Sequence, residues 1–219
     1  MKDIFRRYVV ATVGMALVSL GVAISLKSNL GTSPISCPPA VLSLQYPHIS
    51  FGIFTWIVNF SLILIQVAIL RRRFRLEDLM QIPAVLLFGY FCDVAIYLCE
   101  ELPAGSYGLQ IAWCLLSILI TAIGLRIEID GRAWMLSGDK TIAVVAEAGG
   151  WTFSTIKVWS DILLVVLAMA FALLFFGQPF GNGTDVVIRE GTLLLAVLTG
   201  LCMKLTDAPV QRLMRSLGV

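Results

Sequence analysis

The chain has 219 residues, of which 58% are hydrophobic and only 14% are charged. A soluble domain carries about 25% charged residues, and one of this length cannot hide so much apolar surface from water. The composition therefore excludes a soluble globular protein. A net charge of +2 says little by itself, so the positions of the charges carry the information.

Six segments are apolar enough to cross a hydrocarbon core, which takes about 20 residues of helix. In chain order they cover residues 6–27, 51–71, 79–99, 108–127, 152–176 and 189–206. The sequence thus predicts an all-α, polytopic membrane protein with six transmembrane helices. We expect a single transmembrane domain over residues 1–219, which ends in a tail at 207–219.

The basic residues indicate how these spans are oriented. Thirteen of the sixteen fall before the first span, between spans two and three, between spans four and five, or after span six. These four places lie on one side of a six-span chain. Because cytoplasmic loops carry the excess of Lys and Arg, we expect both termini in the cytoplasm.

Two polar gaps separate the first two spans of each half, at residues 28–50 and 128–151. Each gap holds a run that could form a short helix, near 38–45 and 139–148. Proline at the start of the first run and Gly149–Gly150 after the second are typical helix boundaries.

The same order of span, gap with short helix, span, loop and span occurs in residues 6–99 and again in 108–206. An offset of 103 aligns Gly21 with Gly124, and an offset of 102 aligns Asn59 with Asp161. Since each unit has three spans, the two must be oppositely oriented, which is the inverted-repeat plan of many transporters. The short helices would then be re-entrant, with their N-termini meeting near the midplane. The alternative is six spans with two surface-lying loops.

Lys157 and Asp161 lie one helical turn apart inside the fifth span, where lone charges are disfavoured. The matching positions of the first unit hold Thr55 and Asn59, which are polar and neutral. We expect Lys157, Asp161 and Asn59 to bind substrate in a shared cavity. A purely structural ion pair is the alternative.

Asp93 in the third span has no basic neighbour in the sequence, so it is our candidate for coupling to a proton or cation. A hydrogen-bonded structural acid would fit equally well. Ser33, Ser36 and Asp139 lie at the starts of the two short helices and are expected to contact substrate there. Asp139 could instead serve as an ordinary helix cap.

The chain contains the short segments Leu30–Gly31–Thr32–Ser33–Pro34, Gly89 with Asp93, Lys157 with Asp161, and Gly181–Asn182–Gly183–Thr184. These segments resemble motifs of the YczE/YyaS/YitT group of bacterial membrane proteins. Ile35–Ser36 stands where that group has Trp–Asp, and Ser137–Gly138–Asp139 keeps only the acid of a second motif. The resemblance implies a six-span protein of the bacterial inner (plasma) membrane.

The expected function is a small secondary transporter that moves a small polar metabolite with an anionic group by alternating access. The expected partners are that substrate, the lipid bilayer and further copies of the chain in a homo-oligomer, without nucleic acid. We expect no enzyme, cofactor or metal site, since His48 is the only histidine and no CxxC pair occurs. The alternatives are the substrate-binding subunit of an energy-coupling-factor importer and a non-transporting accessory protein.

Overall fold

A computed structural model describes residues 2–103, 105–131 and 133–217. Within these residues, the elements of secondary structure are helices. Its α-helices are α1 Lys2–Lys27, α2 Cys37–Gln45, α3 Phe51–Leu70, α4 Gln81–Leu98, α5 Tyr107–Gly131, α6 Ser137–Gly149, α7 Phe153–Phe176 and α8 Glu190–Leu217. Five long segments are apolar enough to cross a membrane: Phe5–Lys27, Phe51–Arg73, Asp78–Leu98, Tyr107–Gly131 and Phe153–Phe176. The all-helical class is confirmed, and these helices are compatible with a multi-pass membrane protein. The predicted sixth span at 189–206 falls in α8, which is not among the five, and it stays a prediction.

The two short helices form where their boundary residues indicate. α2 and α6 match the predicted runs to within two residues at each end. Gly150 adopts a left-handed conformation with φ of 68° and ends α6, a position that suits a residue without a side chain. The hydroxyls of Ser50 and Thr152 accept hydrogen bonds from Ile53 N–H and Thr155 N–H, so α3 and α7 begin with equivalent caps.

α1 and α5 form the most extensive helix pair, and they run antiparallel. A Cβ atom built on Gly14 would lie 2.7 Å from the Gly124 carbonyl oxygen, and one on Gly21 would lie 3.0 Å from the Ser117 carbonyl oxygen. These glycines leave room for the two backbones to touch, as small residues do in membrane helix pairs. The antiparallel direction follows because Gly131 at the end of α5 meets Ala11 near the start of α1.

The remaining helices are arranged around this pair. α4 packs against α1, and α8 packs against α5. The short helix α2 packs against α3 and α7, while the short helix α6 packs against α7 and α3. Both short helices therefore lie between the same two long helices, and their starts lie inside the bundle.

The end of α5 corrects one predicted boundary. The fourth span was expected to end at residue 127, with a polar gap from 128 onward. The helix instead continues to Gly131, so Glu128 and Asp130 are helical residues. The apolar run ends before the helix does, because a charged side chain interrupts hydropathy without interrupting backbone hydrogen bonding.

Candidate functional site

The start of α6 is held against the middle of α3. The Ser137 hydroxyl donates to Asn59 Oδ1 at 2.6 Å, and Asn59 is the ninth of the 20 residues of α3. Gln66 Nε2 donates to Thr141 Oγ1 at 2.9 Å and to the Ser137 carbonyl at 3.1 Å. All four side chains are buried. Asn59, expected to bind substrate, thus also positions the start of α6.

Gln81 completes this polar network from α4. Its Nε2 donates to Gln66 Oε1 at 2.9 Å, and Gln66 Nε2 donates back to Gln81 Oε1 at 3.2 Å. Buried amides left without partners would be costly, so their mutual pairing fixes α3, α4 and α6 relative to one another.

The start of α2 is built from two of the predicted site residues. The Ser33 carbonyl accepts hydrogen bonds from Ser36 N–H at 2.8 Å and Cys37 N–H at 3.1 Å. The Ser33 hydroxyl donates to Ser36 Oγ at 2.8 Å. Pro34, Pro38 and Pro39 carry no N–H, so this end offers few backbone donors.

The two short helices meet at their starts. A Cβ atom built on Gly138, the second residue of α6, would lie 2.6 Å from Ile35 Cδ1, just before α2. Ser33 and Ser36 flank Ile35 in the chain, and Asp139 follows Gly138. The structure therefore brings three of the predicted contact residues, Ser33, Ser36 and Asp139, towards one place.

The charged pair of α7 lies beside this meeting point. Lys157 Nζ donates a hydrogen bond to Asp161 Oδ1 at 2.9 Å and forms an ion pair with it. The Lys157 side chain is 41% exposed and the Asp161 side chain is 15% exposed. Asp139 interacts electrostatically with both members of the pair. Asp161 also acts on Cys37, the first residue of α2. Groups from α2, α6 and α7 thus share one polar region.

Glu128 of α5 also belongs to this polar region, although the sequence did not indicate it as a site residue. Its side chain is 4% exposed, and its Oε2 has no hydrogen-bond partner among the described residues. Asp139 is the charged group that acts on it. One signal could have found it: Glu128 lies one turn after Gly124, on the face that packs against α1.

Asp93 has a different setting. Its Oδ1 accepts a hydrogen bond from Gly52 N–H at 2.6 Å, which ties α4 to the first turn of α3. A carboxylate suits this place because the first N–H groups of a helix lack intrahelical acceptors. Its described contacts do not join it to Lys157 or Asp161, and its coupling role stays a prediction.

Backbone donors are available at the start of α6. Its first intrahelical bond runs from Lys140 N–H to the Leu136 carbonyl, at 3.1 Å. The preceding N–H groups, of Ser137, Gly138 and Asp139, lie in the first turn, where a helix carries partial positive charge. Together with Lys157, they suit a ligand that carries an anionic group next to a cationic or polar one.

Comparison with known proteins places the whole bundle in one family. The sequence profile of a family of unknown function, DUF6198, matches residues 5–208. The chain belongs to the DUF6198 family. The match covers α1 to α7 and most of α8, so both short helices and the charged region lie inside the shared DUF6198 segment. Neither the curated proteins nor the solved structures give a match. Membership of the YczE/YyaS/YitT group stays a prediction.

Proposed function

We propose that this DUF6198 protein is a small secondary transporter of the bacterial inner membrane. It would move a small polar metabolite by alternating access between the two faces. The observation that carries this proposal is the contact between Ile35 and Gly138, which brings two short-helix starts together beside Lys157 and Asp161. Irregular backbone at membrane depth is tolerated where it lines a cavity, and many transporters bind substrate at such a place.

The helix contacts support an inverted repeat of residues 6–99 and 108–206. Exchanging α1–α4 with α5–α8 turns the α2–α3 and α2–α7 contacts into the α6–α7 and α6–α3 contacts, all of which occur. An offset of 103 exchanges the Gly14–Gly124 contact with the Gly21–Ser117 contact. The same offset maps the Ile35–Gly138 contact onto itself, as expected for a contact on a pseudo-twofold axis.

The repeat needs α8 as a sixth span. Leu193, Val197, Leu201 and Leu205 form an exposed apolar stripe along one face of α8. Such a stripe in the first four turns suits a helix that faces lipid, and charged residues such as Asp207 follow it. We infer that α8 crosses the membrane over residues 189–206.

One helix–helix contact differs between the two repeats. α3 and α4 pack together, whereas α7 and α8 make few contacts with each other among the described residues. Half of the α7 residues are exposed, and apolar side chains such as Leu163, Val166 and Leu174 are among them. We propose that a second copy of the chain packs there and forms a homo-oligomer.

The orientation proposed is cytoplasmic for both termini. The antiparallel α1–α5 pair brings Arg7 beside Gly131, so the basic start of α1 and the end of α5 share one face. The basic run Arg71–Arg73 at the end of α3 would lie on that face too. This face would be cytoplasmic by the positive-inside rule.

Within the transporter, Lys157 and the first turn of α6 would hold an anionic group of the substrate. Asp161 and Asp139 would set its orientation, with Ser33 and Ser36 as contacts from α2. Rocking of one repeat against the other would expose this region to each face in turn. Asp93 remains a candidate coupling group.

The test is a search for a ligand followed by transport. A compound that binds only the folded protein raises its apparent stability, so thermal unfolding is measured across a metabolite library. The stabilising compound is then offered to proteoliposomes, and we expect uptake that Asp161→Asn abolishes. Tight binding without uptake would instead favour the substrate-binding subunit of an energy-coupling-factor importer.

A further inference from the structure

A cluster of arginines follows α3 in the chain. Arg71–Arg73 form a short 3-10 helix directly after the last residue of α3, at the end of the apolar segment Phe51–Arg73. With Arg75 they place four arginines in five consecutive residues, and all four are exposed. No ion pair among the described residues includes Arg71, Arg72 or Arg73. Their positive charge is therefore available to a partner outside the chain.

The loop that carries the cluster is held in place and keeps an excess of positive charge. Residues 71–80 contain two acids, Glu77 and Asp78, against the four arginines. Asp78 pairs with Lys140 of α6, and its Oδ2 accepts a hydrogen bond from Arg75 N–H at 2.7 Å. Asp78 thus joins the loop to α6, and part of the acidic charge of the loop is already shared with a lysine from outside it.

Exposed apolar side chains flank the arginines in the chain. Ile69 lies in the last turn of α3, and Leu79 and Met80 lie at the end of the loop. All three are exposed. A dissolved anion would need the charges alone, whereas basic and apolar side chains side by side suit the boundary between lipid headgroups and acyl chains. The surface therefore fits a phospholipid better than a small anion in water.

We propose that the loop of residues 71–80 binds the phosphate of an anionic phospholipid, in the leaflet that is cytoplasmic in the proposed orientation. Anionic leaflets attract clusters of basic residues next to a membrane helix, and guanidinium groups can bind phosphate through two parallel N–H bonds. A zwitterionic phospholipid has no net charge to match the cluster. The site requires a membrane protein but no transport, so it would stand if the transporter proposal failed.

Thermal unfolding of the purified full-length protein in uncharged detergent tests the site. Dioleoylphosphatidylglycerol, dioleoylphosphatidylcholine and sodium phosphate are titrated separately at constant ionic strength. A compound that binds only the folded protein raises its Tm, and the dependence on concentration gives an apparent Kd. We expect the anionic lipid to raise the Tm at lower concentration than the zwitterionic lipid. Sodium phosphate at the same concentrations should leave the Tm unchanged.

Substitutions locate the binding within the cluster. Arg72→Gln removes one exposed guanidinium group and should raise the apparent Kd for the anionic lipid roughly fivefold. Combined with Arg71→Gln and Arg73→Gln, it should abolish the preference for the anionic lipid. Lys204→Gln is the matched control, because Lys204 is an exposed cation on a different helix, α8, and this variant should keep the wild-type Kd.

Three results would overturn the site. The first is an equal effect of both lipids on the wild type. The second is a triple arginine variant that responds to the anionic lipid as Lys204→Gln does. The third is a rise in Tm with sodium phosphate that equals the rise with the anionic lipid, since the cluster would then bind a dissolved anion instead of a lipid headgroup.

Discussion

Ile35 Cδ1 occupies the space directly beside the backbone of Gly138, 2.6 Å from where a Cβ would stand. The two residues are far apart in the chain, and each lies at the start of a different short helix. Their contact joins the starts of the two short helices, which belong to opposite halves of the chain and lie between α3 and α7. The proposed substrate region at the two short-helix starts depends on this contact.

Cross-linking tests the contact in the membrane. With Cys37, Cys92, Cys99, Cys114 and Cys202 replaced, cysteines at positions 35 and 138 should be joined by a short bifunctional maleimide. We expect the joined protein to resist separation of the two halves after proteolysis in an exposed loop. A cysteine pair at 35 and 147 is the control, since Glu147 lies at the other end of α6. Equal cross-linking of both pairs would contradict the contact.

Close packing of α1 on α5 predicts opposite effects for the same substitution at two glycines. Gly14→Ala places a Cβ 2.5 Å from the Glu128 backbone nitrogen, so we expect destabilisation of about 1–3 kcal/mol. Gly200→Ala in α8 meets nothing within 4 Å and should be neutral or stabilising, by up to about 1 kcal/mol. Unfolding in detergent measures both. A Gly14→Ala protein as stable as wild type would show that the helices are further apart.

The hydrogen bond from Ser137 to Asn59 should contribute to stability. Asn59→Ala leaves the Ser137 hydroxyl without this acceptor, and we expect a cost of about 1–3 kcal/mol. Ser137→Ala combined with Asn59→Ala should cost less than the two single changes added together, because they share one interaction. The measurement is a double-mutant cycle on the free energy of unfolding. Strict additivity would mean that the two side chains do not interact.

Lys157 is the cation that pairs with Asp161 and attracts Asp139, and its removal should expose the repulsion between the two acids. In Lys157→Met, Asp139 and Asp161 still repel each other, but the ammonium group that attracts both is gone. We expect a lower Tm for Lys157→Met than for Lys157→Met combined with Asp161→Asn, since the second change removes one of the like charges. Thermal unfolding of the wild type, of Lys157→Met and of the double variant measures the three Tm values. A double variant less stable than Lys157→Met would reject the repulsion.

The pattern of the sequence predicts the helices well and the contacts poorly. Apolar runs, Pro38 and Gly149–Gly150 give both short helices, because these are local signals. The partner of Asp93 is Gly52, a backbone group on another helix, which no property of the Asp93 neighbourhood indicates.

Glu128 was missed for a related reason. Hydropathy treats a charged residue as the end of a span, although the helix of which it is part continues to Gly131. Its burial depends on Gly14 of α1, which allows the two backbones to approach each other. Such a site arises from packing between distant segments, so only a three-dimensional arrangement displays it.

The central claim is that the meeting point of α2 and α6 can be reached from each face of the membrane in turn. The most direct measurement is the reaction of Gly138→Cys, in the background without native cysteines, with a membrane-impermeant thiol reagent. The reagent is added to right-side-out vesicles and to inside-out vesicles in parallel. We expect Gly138→Cys to react from both faces, with a ratio that changes when the stabilising metabolite is bound. Reaction from the cytoplasmic face alone, unchanged by that metabolite, would contradict it.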